Sequence, residues 1–142
     1  MQKKMNGFRN KAKELLKGHT CVIFDGERIY TSDESGIKPL VKFVDGGFDF
    51  KSFSAADKIV GRAAAFLYIF MGIKEIYAEV MSEGAKKLFS EHNIRAEYET
   101  LTENIINRAG TDICPMEKAV KGADSPESAL EAIRKTMLKG RV

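Results

Sequence analysis

Nine consecutive residues, Ala63 to Met71, are apolar without interruption. A helix that is apolar on every side has to be covered on every side, so the rest of the chain must wrap it. The run is about half of the ~20 residues that span a bilayer, so protein supplies the cover. Suitable cover follows directly. After Gly72, Ile73 to Met81 alternates, with Ile76, Ala78 and Val80 facing one way and Glu75, Tyr77 and Glu79 the other. Glu83 to His92 then sets Ala85, Leu88 and Phe89 at helical spacing, and Asn93 stops it. Ile94 to Leu101 alternates again. Strand, helix and strand in about thirty residues predict a right-handed parallel crossover.

The residues before the apolar run predict a second kind of pairing. Thr20 to Phe24 and Arg28 to Thr31 are two short strands, and Asp25-Gly26 between them signals a hairpin. Ile37, Leu40, Val41 and Val44 have helical spacing, with Pro39 in the first turn and Gly46-Gly47 as the stop. Phe48, Phe50 and Phe53 fall in a linking segment, where they either cover the core or form a stacking platform for bases. Ser54 and Asp57 then have the spacing of a capping box that opens the apolar helix. At the front, Asn6 to Lys17 carries Phe8, Ala12, Leu15 and Leu16 on one helical face and ends at Gly18. Behind the last strand, helices are predicted from Thr102 to Gly110, from Pro115 to Gly122, and from Ser125-Pro126 to Gly140. The sum is one α/β domain over residues 1–142, of three-layer type. Its mixed sheet has about four strands, an N-terminal hairpin followed by a parallel βαβ unit, with helices at the C-terminus.

Composition narrows the function classes. The 142 residues suit one domain, and 44% apolar with 30% charged residues is a globular balance. The opening Met-Gln-Lys-Lys-Met-Asn-Gly has no apolar stretch behind its charges, so no secretion signal is expected and the chain is placed in the cytoplasm. Cys21 and Cys114 are then expected as reduced thiols. A net charge of +3 is too small to argue for nucleic acid. Its distribution is uneven, however. Lys3, Lys4, Arg9, Lys11, Lys13 and Lys17 crowd residues 1–17 against Glu14, which is either a solvated helix face or a surface for RNA or a membrane.

Two places carry residues suited to chemistry. Placed on the apolar helix, Lys58 and Arg62 are one turn apart and repel by roughly 0.2–0.5 kcal/mol. Lys58 in the first turn is opposed by the helix dipole by about 0.3–1 kcal/mol. Gly61 inside the helix costs about 1 kcal/mol against Ala. An anion held at the free N–H groups of the helix start would account for all three. The expected ligand is a small phosphate- or carboxylate-bearing metabolite, held by Lys58, Arg62 and Gly61 with Ser82, Glu83 and Glu117. The bland alternative is a surface pair, a cap at Asp57 and a packing glycine. The second place is Asp112-Ile113-Cys114-Pro115, which sets a thiol at a helix start. There the dipole stabilises a thiolate, so Cys114 is a candidate nucleophile or redox centre, with Asp57 or Lys58 assisting if the fold joins them. A small inert core residue is the alternative. His19 and Cys21 share a strand face, but two ligands do not make a metal site.

The order helix, hairpin, buried helix, strand, helix, strand, helices is similar to the cytidine-deaminase fold. More closely, Leu16 to Lys121 resembles a small prokaryotic family known as a domain of unknown function, on Asp57-Lys58-Ile59-Val60-Gly61-Arg62-Ala63-Ala64-Ala65 and Cys114-Pro115-Met116-Glu117. The resemblance implies a deaminase-like fold and a homodimer, and it implies no established activity. Deaminases hold zinc with His or Cys at the start of the buried helix and two Cys at the start of the next, beside a proton-shuttling Glu. Ala55-Ala56-Asp57-Lys58-Ile59 and Met81-Ser82-Glu83-Gly84-Ala85 contain neither His nor Cys. No metal and no cofactor are therefore expected, and zinc-dependent deamination is set aside. The leading expectation is a zinc-less deaminase-like module for a small anionic, nucleotide-like metabolite. A Cys114-dependent thiol enzyme and an RNA-binding or scaffolding protein acting through the basic first helix are the alternatives.

Overall fold

The computed structural model describes residues 2–106 and 109–139, with side chains from Gly7 onward. The chain runs α1 (Gln2–Leu16), β1 (Cys21–Phe24), β2 (Ile29–Ser32), α2 (Lys38–Asp45), β3 (Ser54–Val60), α3 (Arg62–Met71), β4 (Glu75–Ser82), α4 (Glu83–Glu91), β5 (Arg95–Thr102), α5 (Pro115–Ala119) and α6 (Pro126–Lys139). The strands form one sheet in the order β2-β1-β3-β4-β5. β1 is antiparallel to both β2 and β3, and β3, β4 and β5 are parallel. The hairpin forms at Asp25-Gly26 as expected. Asp25 Oδ1 accepts from the N–H groups of Glu27 and Arg28 at 3.0 and 2.8 Å, which fixes the loop.

The sheet has five strands where the alternation suggests four, because Ser54–Val60 is a strand and not the opening of a helix. Ser54 and Asp57 therefore do not form a capping box. The segment escapes a periodicity search for a physical reason. Ala55 and Ala56 point to opposite faces and both are fully buried, so no polar residue marks an outer side. Small side chains at the sheet centre let a helix approach from each face. The α3 helix starts only at Arg62, with Gly61 as its N-cap.

One helix lies on one face of the sheet. Ala12 and Leu16 of α1 pack on Val22, Phe24, Ala56 and Tyr77. The remaining helices lie on the other face, where α3 is covered by the sheet, α2, α4 and α6. The apolar helix is thus wrapped as its composition demands, except that Phe70 remains 41% exposed. The basic face of α1 is largely used within the fold. Arg9 reaches Glu97 and the carbonyl of Tyr98, Lys13 pairs with Glu99, and Lys11 lies over the Phe24 ring. Lys13, and Arg9 after it, hold Glu99 down to a pKa of about 2. The side chains of Lys3 and Lys4 lie outside the described residues.

The C-terminal segment departs from expectation once. The helix predicted from Thr102 to Gly110 crosses residues outside the described set, and its described part is not helical. After β5 the chain forms a loop closed by the Ile106–Ile113 bridge, and Cys114 N–H donates to Ile105 O at 2.9 Å. That loop delivers α5 to the start of α3. The last helix opens at Pro126 as expected; its predicted end at Gly140 lies outside the described residues.

Candidate functional site

Residues expected to hold an anion do gather at the carboxyl ends of β3 and β4, but the anion is part of the chain. Both oxygens of Glu117, carried on α5, accept hydrogen bonds from the start of α3. Oε1 takes the N–H of Arg62 and Oε2 that of Ala63, each at 2.8 Å. A carboxylate at the first turn satisfies two free donors and the dipole together. Gly61 makes the approach possible, because a Cβ there would lie 2.5 Å from Glu117 Oε1. The glycine is an N-cap under a neighbouring side chain, not a helix-interior residue. The backbone there is extended (φ −101°), so the requirement is space and not conformation.

The other members of the expected set divide. Arg62 lies across the start of α4, with its guanidinium 5.4 Å from the Phe66 ring centroid. A Cβ on Gly84 would sit 2.8 Å from its Cδ. Ser82 is buried and caps α4, accepting from Ala85 N–H at 3.1 Å, with Glu83 in that helix's first turn. Lys58 stands on β3 and is exposed, so it shares no helix face with Arg62 and meets no helix dipole. Cys114 is half-buried as the N-cap of α5, and its side chain makes no cap bond. Among the described residues no hydrogen bond or ion pair joins Cys114 to Asp57 or Lys58, so the three expected catalytic residues do not form one group. His19 pairs with Asp33 at 2.7 Å, and His92 bonds the carbonyl of Leu88 near its helix end.

Asp57 belongs to a different cluster, between the sheet and α3. Tyr68 Oη donates to Asp57 Oδ2 at 2.6 Å and lies 3.1 Å from Cys21 Sγ. Burial pushes the Asp57 carboxyl up to about 7, against the pull of bonds from Tyr68 and from Ile59 N–H; Glu79 on β4 pushes it further. Burial, with Asp57 alongside, raises the Cys21 thiol as well, so Cys21 is an unreactive core residue, as its strand position suggests.

A cavity of about 300 Å³ opens at the opposite end of the sheet, beside the hairpin and the amino end of β3. Phe48, Tyr30 and Phe53 form its aromatic wall, with Arg28, Lys51 and Asp49 at the rim. Phe48 is 55% exposed and lies 5.3 Å from Tyr30 between ring centroids. Arg28 sits over Phe53 at 5.1 Å and is oriented by Asp25. Phe50 is buried behind these rings, edge-on to Tyr30 and Phe53. Of the two expected roles for the phenylalanines, Phe50 and Phe53 take core positions and Phe48 faces outward. The one signal in the sequence was a run of aromatics at odd spacing in a segment that packing would otherwise keep polar.

The fold and these two ends define an α/β domain with a mixed five-stranded sheet between one helix and a helical layer. Residues 11–137 match the model of a family described as a domain of unknown function, DUF1893, and the chain belongs to that family. It is similar to the crystal structure of a DUF1893 family protein from Thermotoga maritima, at 31% identity and a TM-score of 0.79, over 92% of this chain and 88% of that one. No curated protein matches the chain. Among the described residues no helix is long and apolar enough to cross a membrane, and no three His, Cys, Asp or Glu side chains could hold a metal ion.

Proposed function

We propose that this domain binds a small, planar, anionic metabolite of nucleotide type in the cavity beside the hairpin. The observation that carries the reading is an exposed Phe48 ring packed on a half-buried Tyr30, with cations beside them. A base stacked on Phe48 and Tyr30 gains about 1–3 kcal/mol, and Lys51 stands where a phosphate would be neutralised. The start of α3, which the sequence argument favoured, holds Glu117, so an outside anion there would have to displace a carboxylate with two good hydrogen bonds.

The domain is read as deaminase-like in architecture. What supports this is that α3 and α4 both start at the carboxyl ends of parallel strands, where zinc deaminases hold their metal. With α3 starting at Arg62, the equivalent residues are Gly61-Arg62-Ala63-Ala64 and Ser82-Glu83-Gly84-Ala85, which supply neither His nor Cys. Glu117 stands in that place, so zinc-dependent deamination is not part of the reading.

Calorimetric titration with adenosine monophosphate tests the proposal. Saturable binding is expected, together with thermal stabilisation that grows with ligand concentration, worth about 2.7 kcal/mol at a hundred times Kd. Adenosine and inorganic phosphate should each bind more weakly. Phe48→Ala and Lys51→Ala, both at exposed positions, should each weaken binding about tenfold. Binding that neither variant changes would place the ligand elsewhere.

A further inference from the structure

We propose that the cavity beside the hairpin selects guanine among the nucleotide bases, reading its pairing edge with Asp49 and the hydroxyl of Ser52. This deepens the reading that the cavity takes a nucleotide, and rests on it. Two carboxylates line the cavity, Asp25 and Asp49. Asp25 is occupied on both oxygens. Its Oδ1 accepts from the N–H groups of Glu27 and Arg28, and its Oδ2 takes the Arg28 guanidinium at 3.2 Å. Asp49 is occupied on one oxygen. Its Oδ1 accepts from Lys51 N–H at 3.0 Å, which orients the carboxylate, and among the described residues no hydrogen bond or ion pair reaches its Oδ2.

The backbone that follows Asp49 is held in a costly shape. Ser52, which lines the same cavity, has φ 71°, a conformation that serine adopts only at a cost in stability. The other non-glycine residue with positive φ among the described residues is Asn93, which is of a type that tolerates it and stands just past the end of α4. The neighbours of Ser52 hold it in place. Phe50 and Phe53 are buried on either side, Ser52 N–H donates to Gly72 O at 3.1 Å, and Phe53 N–H donates to Phe50 O at 3.0 Å. The Ser52 hydroxyl makes no hydrogen bond among the described residues. A rigid turn thus presents a free acceptor and a free hydroxyl beside the exposed Phe48 ring. Guanine fits that order. Its ring N–H and amino group are adjacent donors for one carboxylate, and its carbonyl oxygen, next along the same edge, accepts from a hydroxyl. Adenine and cytosine each set an acceptor nitrogen beside the amino group, which would face the carboxylate and repel it. Uracil has a single N–H between two acceptors. Lys51 and Arg28 are left for the phosphate.

The test compares the monophosphates of guanosine, inosine and adenosine on the full chain by calorimetry. Guanosine monophosphate is expected to bind about tenfold more tightly than adenosine monophosphate, with inosine monophosphate, which lacks the amino group, in between. Asp49→Asn keeps an oxygen for Lys51 N–H and so keeps the turn, but it puts an amide donor in place of the free oxygen. It should abolish the preference for guanosine monophosphate and favour xanthosine monophosphate, which carries an oxygen acceptor where guanine carries its amino group. Glycine takes positive φ freely, so Ser52→Gly should hold or raise the melting temperature while weakening guanosine monophosphate about fivefold. If guanosine and adenosine monophosphates bind equally, or if Asp49→Asn leaves their ratio unchanged, the guanine reading is wrong and the nucleotide reading stands. If none of the monophosphates binds, both readings fall.

Discussion

Asp57→Asn is expected to stabilise the protein at pH 8 and to leave it almost unchanged at pH 4. The folded-state pKa of Asp57 lies near 7, above its ordinary 3.8, so the fold prefers the protonated form. Below the unfolded value the carboxyl is neutral in both states and nothing is lost. As pH rises from about 4 to 7 the unfolded chain releases a proton that the folded chain keeps, and stability falls. Above 7 the full penalty applies, on the order of 4 kcal/mol from the distance between the two values. Asparagine carries no charge at any of these pH values. Its oxygen can still accept from Ile59 N–H, and its NH2 can donate to Tyr68 Oη, whose proton then turns to Cys21. Urea unfolding of both forms at pH 4, 6 and 8 measures the difference. A difference that is the same at all three would mean that Asp57 titrates normally and that the Asp57–Tyr68–Cys21 cluster is not desolvated.

The second large effect concerns the start of α3. Glu117→Ala removes a charged acceptor from two N–H groups and should cost roughly 2–3 kcal/mol. Gly61→Ala should cost a similar amount alone, because its methyl would occupy the space of the Glu117 carboxylate and push it off both donors. The double variant should cost little more than Glu117→Ala, giving a coupling of about 2 kcal/mol. Equilibrium unfolding of the four proteins measures it. Additive costs would mean that Gly61 serves the backbone and not the carboxylate. Glu117→Gln keeps the acceptors in part and loses the charge, so it should fall between.

The two effects also mark where the sequence was legible. The hairpin, the parallel βαβ unit and the wrapped helix were visible because each leaves a local signature: Asp25-Gly26, the alternation of Ile76, Ala78 and Val80, and the apolar run itself. The central strand was not, because Ser54-Ala55-Ala56 is buried on both faces and carries no period. Misplacing that strand moved three site arguments with it. Lys58 left the helix, Asp57 became a half-buried sheet residue beside α3, and Gly61 became an N-cap. A ligand's anion was the expectation for the start of α3. The free N–H groups do meet an anion, but it comes from Glu117, 55 residues beyond Arg62 in the sequence, and the chain after β5 brings it there. Such a contact has no sequence period. The aromatic cavity was half legible: Phe48, Phe50 and Phe53 were noticed, but which of them faces outward depends on how Tyr30 and the hairpin pack. Arg28 gave no signal, since it takes its place from a ring on a distant segment.

The central claim is that ligand chemistry lies at the hairpin end of the sheet and that the start of α3 at the other end is closed by Glu117. An NMR titration of the labelled protein with adenosine monophosphate tests it most directly. The account predicts ring-current shifts confined to the aromatic signals of Phe48 and Tyr30 and to the amides of Arg28 and Lys51, with Gly61, Arg62 and Ala63 unmoved. Shifts concentrated at Gly61, Arg62 and Ala63, with the aromatic signals still, would contradict it and return the site to the start of α3.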